Sequence, residues 1–205
     1  AVSGGVDSIY LLHRMTELAA QRGFTVGCAH FNHGLRGAES DRDEAFVRTQ
    51  CAHLGVPFYA GRGDVAAAAR ERGWSVEEAG RNLRYAFLEE TAEKIGAVRI
   101  ATGHNRSDNA ETVLMNLIRG TGLTGLAGIR PVRGILIRPL LESGREEIEA
   151  YLKANHVPHV EDESNGSSAY TRNRFRLEIL PALRAVNPRA EENLAKTAML
   201  LRQDE

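Results

Sequence analysis

Segments with strand character alternate with segments of helical periodicity along this chain, and that alternation restricts it to a layered α/β fold with a parallel sheet. Ala1-Val2 has the character of the last residues of a buried strand. Leu11, Leu12, Met15, Leu18 and Ala19 then share one helical face, which Gly23 closes. Phe24–Phe31 reads as a second strand. Phe46, Val47, Cys51 and Leu54 form a second helical face closed by Gly55, and Pro57–Ala60 a short third strand. Ser75 and Glu78 make a capping box for a helix running to about Ile95. Val98–Thr102 predicts a strand, Ser107–Arg119 a helix, and Ile135–Arg138 a last, edge strand. Ser143 with Glu146 opens another helix ending near Asn155, the polar stretch Glu161–Ser168 marks a domain edge, and Asn187-Pro188 starts a terminal helix. The expected architecture is a doubly wound, mostly parallel sheet with helices on both faces.

The 205 residues can bury one good core, with some left over for a second element. No apolar run approaches the roughly 18–20 residues of a membrane helix, so no membrane association is expected. Cys28 and Cys51 stand too far apart for a CxxC site, and a reduced, cytoplasmic protein is the simplest reading. Zinc at Cys28, His30 and His33 is disfavoured, because strand alternation sends Cys28 and His30 to one side and no fourth ligand is evident.

A net charge of −1 argues against indiscriminate nucleic-acid binding, but the charge is uneven. Of the 26 basic residues only Lys94, Lys153 and Lys196 are lysines. Arg119, Arg130, Arg133 and Arg138 occupy a stretch without acids. Arg172, Arg174, Arg176, Arg184 and Arg189 face a single acid, Glu178. Arginine grips phosphate bidentately, which lysine cannot do.

Ser3-Gly4-Gly5-Val6-Asp7-Ser8 lies where the first strand hands over to the first helix. Adjacent glycines allow a tight turn whose N–H groups approach an anion. The helix N-terminus and the Ser3 and Ser8 hydroxyls add to that attraction. Asp7 would repel phosphate unless it holds Mg²⁺. The set suits pyrophosphate better than a single phosphate. A Walker loop is excluded because the chain contains no Gly-Lys pair. Gly120-Thr121-Gly122-Leu123-Thr124-Gly125 spells GxGxxG but follows a helix, so the dinucleotide reading fails on context.

The hexapeptide resembles the SGGxDS loop of the N-type ATP pyrophosphatases. Further blocks narrow the likeness: His30-Phe31-Asn32-His33-Gly34-Leu35-Arg36-Gly37, Gly103-His104-Asn105-Arg106-Ser107-Asp108-Asn109-Ala110-Glu111-Thr112, Arg119-Gly120-Thr121-Gly122-Leu123, Arg138-Pro139-Leu140-Leu141 and Tyr170-Thr171-Arg172-Asn173-Arg174-Phe175-Arg176. In this order they resemble the tRNA(Ile)-lysidine synthase family, from Val2 to about Pro188. The resemblance implies an adenine nucleotide alpha hydrolase-like fold with a catalytic domain over residues 1–168. Residues 169–205 would be a helical extension toward C-terminal tRNA-binding domains. It also implies the reaction, in which ATP adenylates the 2-oxo group of the wobble cytidine in the CAU-anticodon isoleucine tRNA and lysine then displaces AMP.

On this resemblance ATP would be held by Ser3 to Ser8 with His30, Gly103 and His104, and Mg²⁺ by Asp7, shared with Asp108. Asp108 and Glu111, three apart on one helical face, would receive an ammonium of lysine, against the plain alternative of complementing the helix dipole. Arg84 would neutralise charge as pyrophosphate leaves. Arg172 and Arg176 would line the RNA or α-phosphate side, with His33, Arg36 and Arg119 also toward the tRNA. His33 and His104 would hydrogen-bond nucleotide or cytosine, or else orient their loops. The family usually carries His and Gln where this chain has Asn105 and Asn109, which predicts altered hydrogen bonding to nucleotide or base. A tRNA thiolase would need paired cysteines, and a non-catalytic tRNA-binding remnant would not need Asp7, Asp108 and Glu111. A homodimer is left open.

Overall fold

Residues 1–160 and 171–203 are described by the computed structural model. Their elements run α1 (Val6–Arg22), β1 (Cys28–Asn32), α2 (Ala38–Leu54), β2 (Phe58–Arg62), α3 (Val65–Arg72), α4 (Val76–Ile95), β3 (Ile100–Ala101), α5 (Arg106–Ile118), α6 (Leu123–Leu126), β4 (Val132–Arg133), β5 (Leu136–Ile137), α7 (Arg145–Ala154), α8 (Thr171–Arg174), a π turn (Phe175–Ile179), α9 (Leu180–Val186) and α10 (Ala190–Gln203). The chain divides into two compact units that do not follow chain order. Ala1–Gly103, Ile135–Ile137 and Pro158–Val160 make the first, and His104–Gly134, Arg138–Val157 and Glu161–Glu205 the second. The expected Glu161–Ser168 edge and the 168/169 boundary lie outside the described residues.

The first unit holds the sheet. β1 pairs in parallel with β2, Cys28 opposite Phe58, and β3 pairs in parallel with β5, Ile100 opposite Leu136. Ala1 and Val2 join the two pairs: Val2 N–H donates to the Ala29 carbonyl at 2.9 Å and the Ala1 nitrogen to the Ala101 carbonyl at 2.8 Å. They thus sit where a central buried strand ends, as the sequence predicts. α4 covers this sheet through Leu88 and Ala92 against Ile100 and Leu136. The helix closures at Gly23 and Gly55 and the Ser75 cap, accepting from Glu78 N–H at 3.1 Å, also match the sequence. Unforeseen is α3, opened by Asp64 and packed through Val65 and Ala69 on Ala79. Its run of alanines carries no periodicity to read.

Apart from β4, the second unit is helical. α10 packs on α5 and α6, and α9 adjoins α10. Two expectations shift here. The α7 N-cap is Gly144 without a side-chain cap, so Ser143 and Glu146 form no capping box. Asn187 ends α9 and accepts from Arg189 N–H, so the terminal helix begins at Ala190 rather than at Pro188. The arginine-rich stretch itself is helical, through α8, the π turn and α9.

Candidate functional site

The Ser3–Ser8 loop is knotted around one hydroxyl. Ser8 Oγ accepts from Ser3 N–H and Gly4 N–H, both at 3.1 Å, and donates to the Gly5 carbonyl at 2.9 Å. Its hydrogen-bonding capacity is spent on the loop, so Ser8 shapes the nest rather than presenting a donor to a ligand. Ser3, by contrast, is exposed, with its hydroxyl 3.2 Å from that of Ser8. Gly4 adopts φ +107°, open only to glycine at low cost, and a side chain there would also meet Val160 and Val47. Gly5 caps α1 without a side chain, so the first-turn N–H groups of the helix have no cap from its own hydroxyls.

Asp7 stands in that first turn, half-buried. Mg²⁺ is commonly held by one or two carboxylates together with substrate phosphates and waters, so a single aspartate beside a phosphate nest fits it. Among the described residues no three His, Cys, Asp or Glu side chains gather as a metal cage. Gly103, at the end of the β3 segment, passes against the same turn: a Cβ there would lie 3.2 Å from the Asp7 carbonyl carbon and 3.3 Å from Ser8 N.

The other expected residues of this unit take varied positions. His30 is 4% exposed, and its Nδ1 donates to the Val2 carbonyl at 2.9 Å. Burial pushes its pKa down, so the neutral ring braces the strand behind the loop. His33 packs edge-on to Phe31, and burial, with Arg84, His30 and Arg36 nearby, pulls its pKa down to about 4. Arg84 is half-buried, its guanidinium carbon lies 5.6 Å from the centre of the Tyr85 ring, and it has no carboxylate partner among the described residues. It is therefore a cation available to a ligand anion. Arg36 pairs with Asp43 at 2.7 Å, while the buried Asn32 amide pins the loop before it, its Oδ1 accepting from Gly34 N–H at 2.9 Å.

In the second unit, Asn105 caps α5 in a full capping box with Asp108. Asn109 is buried and accepts from Ile129 N–H at 2.8 Å. Both asparagines thus bond backbone within the second unit. Glu111 is fully buried, and its oxygens accept from Arg172 Nε at 2.7 Å and Arg176 Nε at 2.8 Å. Asp108 Oδ1 accepts from Arg176 Nη2 at 3.0 Å and Arg172 Nη2 at 3.4 Å, and its Oδ2 from Asn105 N–H at 2.9 Å. Sequence reasoning named all four charged residues without pairing them. The signal was present: carboxylates three apart and arginines four apart each span one helical turn. His104 is half-buried beside the cap, and Arg119, ending α5, is exposed. Arg138, from the acid-free arginine stretch, is instead buried and donates to the Arg130 carbonyl.

A strand-to-helix nest tied by its own serine, with a carboxylate in the first helical turn, defines a nucleotide-type phosphate loop on a parallel α/β sheet. Residues 1–183 match the PP-loop domain family, and the chain belongs to it. Among curated proteins the chain is similar to the tRNA(Ile)-lysidine synthases of Parabacteroides distasonis, 47% identical over 96% of this chain, and Geobacter sulfurreducens, 46% identical over all of it. It spans 44% of the length of each. In fold it resembles the U34-tRNA thiolase NcsA from Methanococcus maripaludis with its [4Fe-4S] cluster, at a TM-score of 0.78 and 19% identity, over 98% of this chain and 70% of that one.

Proposed function

We propose that this chain carries the ATP-dependent chemistry of a tRNA(Ile)-lysidine synthase, joining lysine to the wobble cytidine of the CAU-anticodon isoleucine tRNA. The observation that carries the reading is the Ser3–Ser8 nest, whose inner hydroxyl is already satisfied while the exposed Ser3 and the α1 N-terminus remain to hold phosphate. The names of relatives at 46–47% identity support the particular substrate.

In the first step the cytidine O2 attacks the α-phosphorus of ATP and pyrophosphate departs. The neutral ε-amine of lysine then attacks C2, the bond to oxygen breaks, AMP leaves and the amine gives up a proton. The nest, with Gly103 and His104, holds the nucleotide, and His30 braces it from behind. Asp7 would hold Mg²⁺, which when bound offsets charge on the departing pyrophosphate. Arg84, a cation without a carboxylate partner among the described residues, stabilises the same developing charge. Asp108 and Glu111 receive an ammonium of lysine, and His33, Arg36, Arg119, Arg172 and Arg176 face the tRNA. The activity belongs in the cytoplasm, where tRNA, lysine and ATP meet. A thiolase reading has less support, since the two cysteines, although Cys28 on β1 and Cys51 on α2 are neighbours, are both buried.

The test supplies ATP, Mg²⁺, labelled lysine and a bacterial tRNA pool. Label is expected only on the isoleucine tRNA with a CAU anticodon, in an alkali-stable linkage to the base. AMP formed equally well without RNA, or label on unrelated tRNAs, would overturn the lysidine reading and leave the phosphate loop alone.

A further inference from the structure

The Asp108–Glu111 pair is already fully engaged by cations of the chain itself. Both Glu111 oxygens and Asp108 Oδ1 accept from Arg172 and Arg176, so among the described residues two negative charges meet two positive ones. An ammonium cannot simply be added to this neutral set. It can enter only in exchange, because Glu111 has no exposed surface and a buried carboxylate left without a cation is strongly disfavoured. The arginines are the half able to leave, since their side chains are 37% and 39% exposed while those of Glu111 and Asp108 are 0% and 14% exposed. They also stand on an irregular helical element. Arg172 lies in α8 and Arg176 in the π turn, where Leu180 N–H reaches back to the Phe175 carbonyl. A π turn carries one residue more than an α turn, and such turns concentrate at functional sites. Conversion to α-helix would rotate the preceding residues by about 100° relative to α9, a movement that would draw Arg172 away from Glu111.

We infer that Arg172 and Arg176 are a cation latch on the carboxylate pair, released when an ammonium of the amino-acid substrate takes their place and then free to bind RNA phosphate. This inference rests on the reading of Asp108 and Glu111 as the lysine site. It makes amino acid and RNA bind reciprocally: each favours the unlatched state, so each tightens the other. It also reconciles one pair of arginines with two partners, carboxylate in the resting chain and phosphate in the working one.

The test follows the Nε–H groups of the two arginines by NMR, assigned through Arg172→Lys and Arg176→Lys. In the resting protein both are expected to exchange slowly. Saturating L-lysine should remove that protection by tenfold or more, whereas NaCl at the same concentration should not. Should a variant fail to fold, the titration of the unsubstituted chain still reads the loss of two slow arginine signals. In parallel, lysine should steepen the log–log salt slope of tRNA binding by about 0.7–0.9 for each released arginine. Lysine binding by calorimetry with both signals unmoved overturns the latch and leaves the lysine site standing. Signals lost with an unchanged salt slope overturn the transfer to RNA. No lysine binding, even with ATP present, overturns latch and lysine site together.

Discussion

Gly103 lies against the backbone of Asp7 so closely that a Cβ on Gly103 would stand 3.2 Å from the Asp7 carbonyl carbon. Backbone atoms give way less readily than the ends of side chains, so this contact locks the first turn of α1 to the end of the β3 segment. Gly103→Ala is expected to displace the phosphate nest, lowering kcat/KM for pyrophosphate release by about 10²-fold, the scale of a 1 Å misplacement. Overpacking should cost about 1–3 kcal/mol of stability. Normal turnover in the Ala variant would show that the nest tolerates the shift.

Asp7→Asn keeps the shape of the first turn and removes the charge. Loss of helix-dipole complementarity should cost only about 0.3–1 kcal/mol. Pyrophosphate release, in contrast, should be abolished at all Mg²⁺ concentrations. Near-normal turnover under saturating Mg²⁺ would remove Asp7 from the metal role.

Arg176→Ala leaves Glu111 buried with only Arg172 as partner. Breaking a buried pair from one side costs about 3–5 kcal/mol, and half-exposed arginine sides with a second guanidinium place this change near the lower end. Glu111→Gln should cost less, because the arginines it releases reach solvent. Urea midpoints of the two variants give the comparison, and equal losses would contradict the asymmetry.

His33 carries a pH prediction with a definite sign. Its folded pKa of about 4 lies below the ordinary 6.5, chiefly through burial. Between those values the unfolded chain binds more protons, so stability is complete above about pH 6.5 and falls as pH drops toward 4. His33→Gln should flatten that acid limb in thermal melts at pH 4–7. An unchanged limb would assign the acid sensitivity to another group.

Two arginines from the same acid-free stretch should behave oppositely. Arg119 is exposed, and Arg119→Ala is expected to lower the salt slope of tRNA binding by about 0.7–0.9 with little change in stability. Arg138 is 8% exposed and bonds the Arg130 carbonyl, so Arg138→Ala should lower the melting temperature and leave the slope unchanged. Filter binding across a salt series, with melts of both variants, checks the contrast.

Local chemistry made much of this protein legible from its sequence. The Ser3–Ser8 loop, the Gly23 and Gly55 closures and the Ser75 cap depend on neighbours a few residues apart, and chain order alone reveals them. The alternation of β1, α2, β2, α4 and β3 follows from periodicity in the same way, although the strands are shorter than their apolar runs because pairing, not hydrophobicity, sets their ends. Tertiary structure alone decided what long-range contacts govern. Gly103 meets Asp7 only once strand β3 is laid beside residues 1–2. Asn109, 20 positions from Ile129, becomes a backbone anchor. Arg172 and Glu111, 61 positions apart, become partners because α5 and the arginine-bearing helix pack together and a fully buried carboxylate must take the nearest cation.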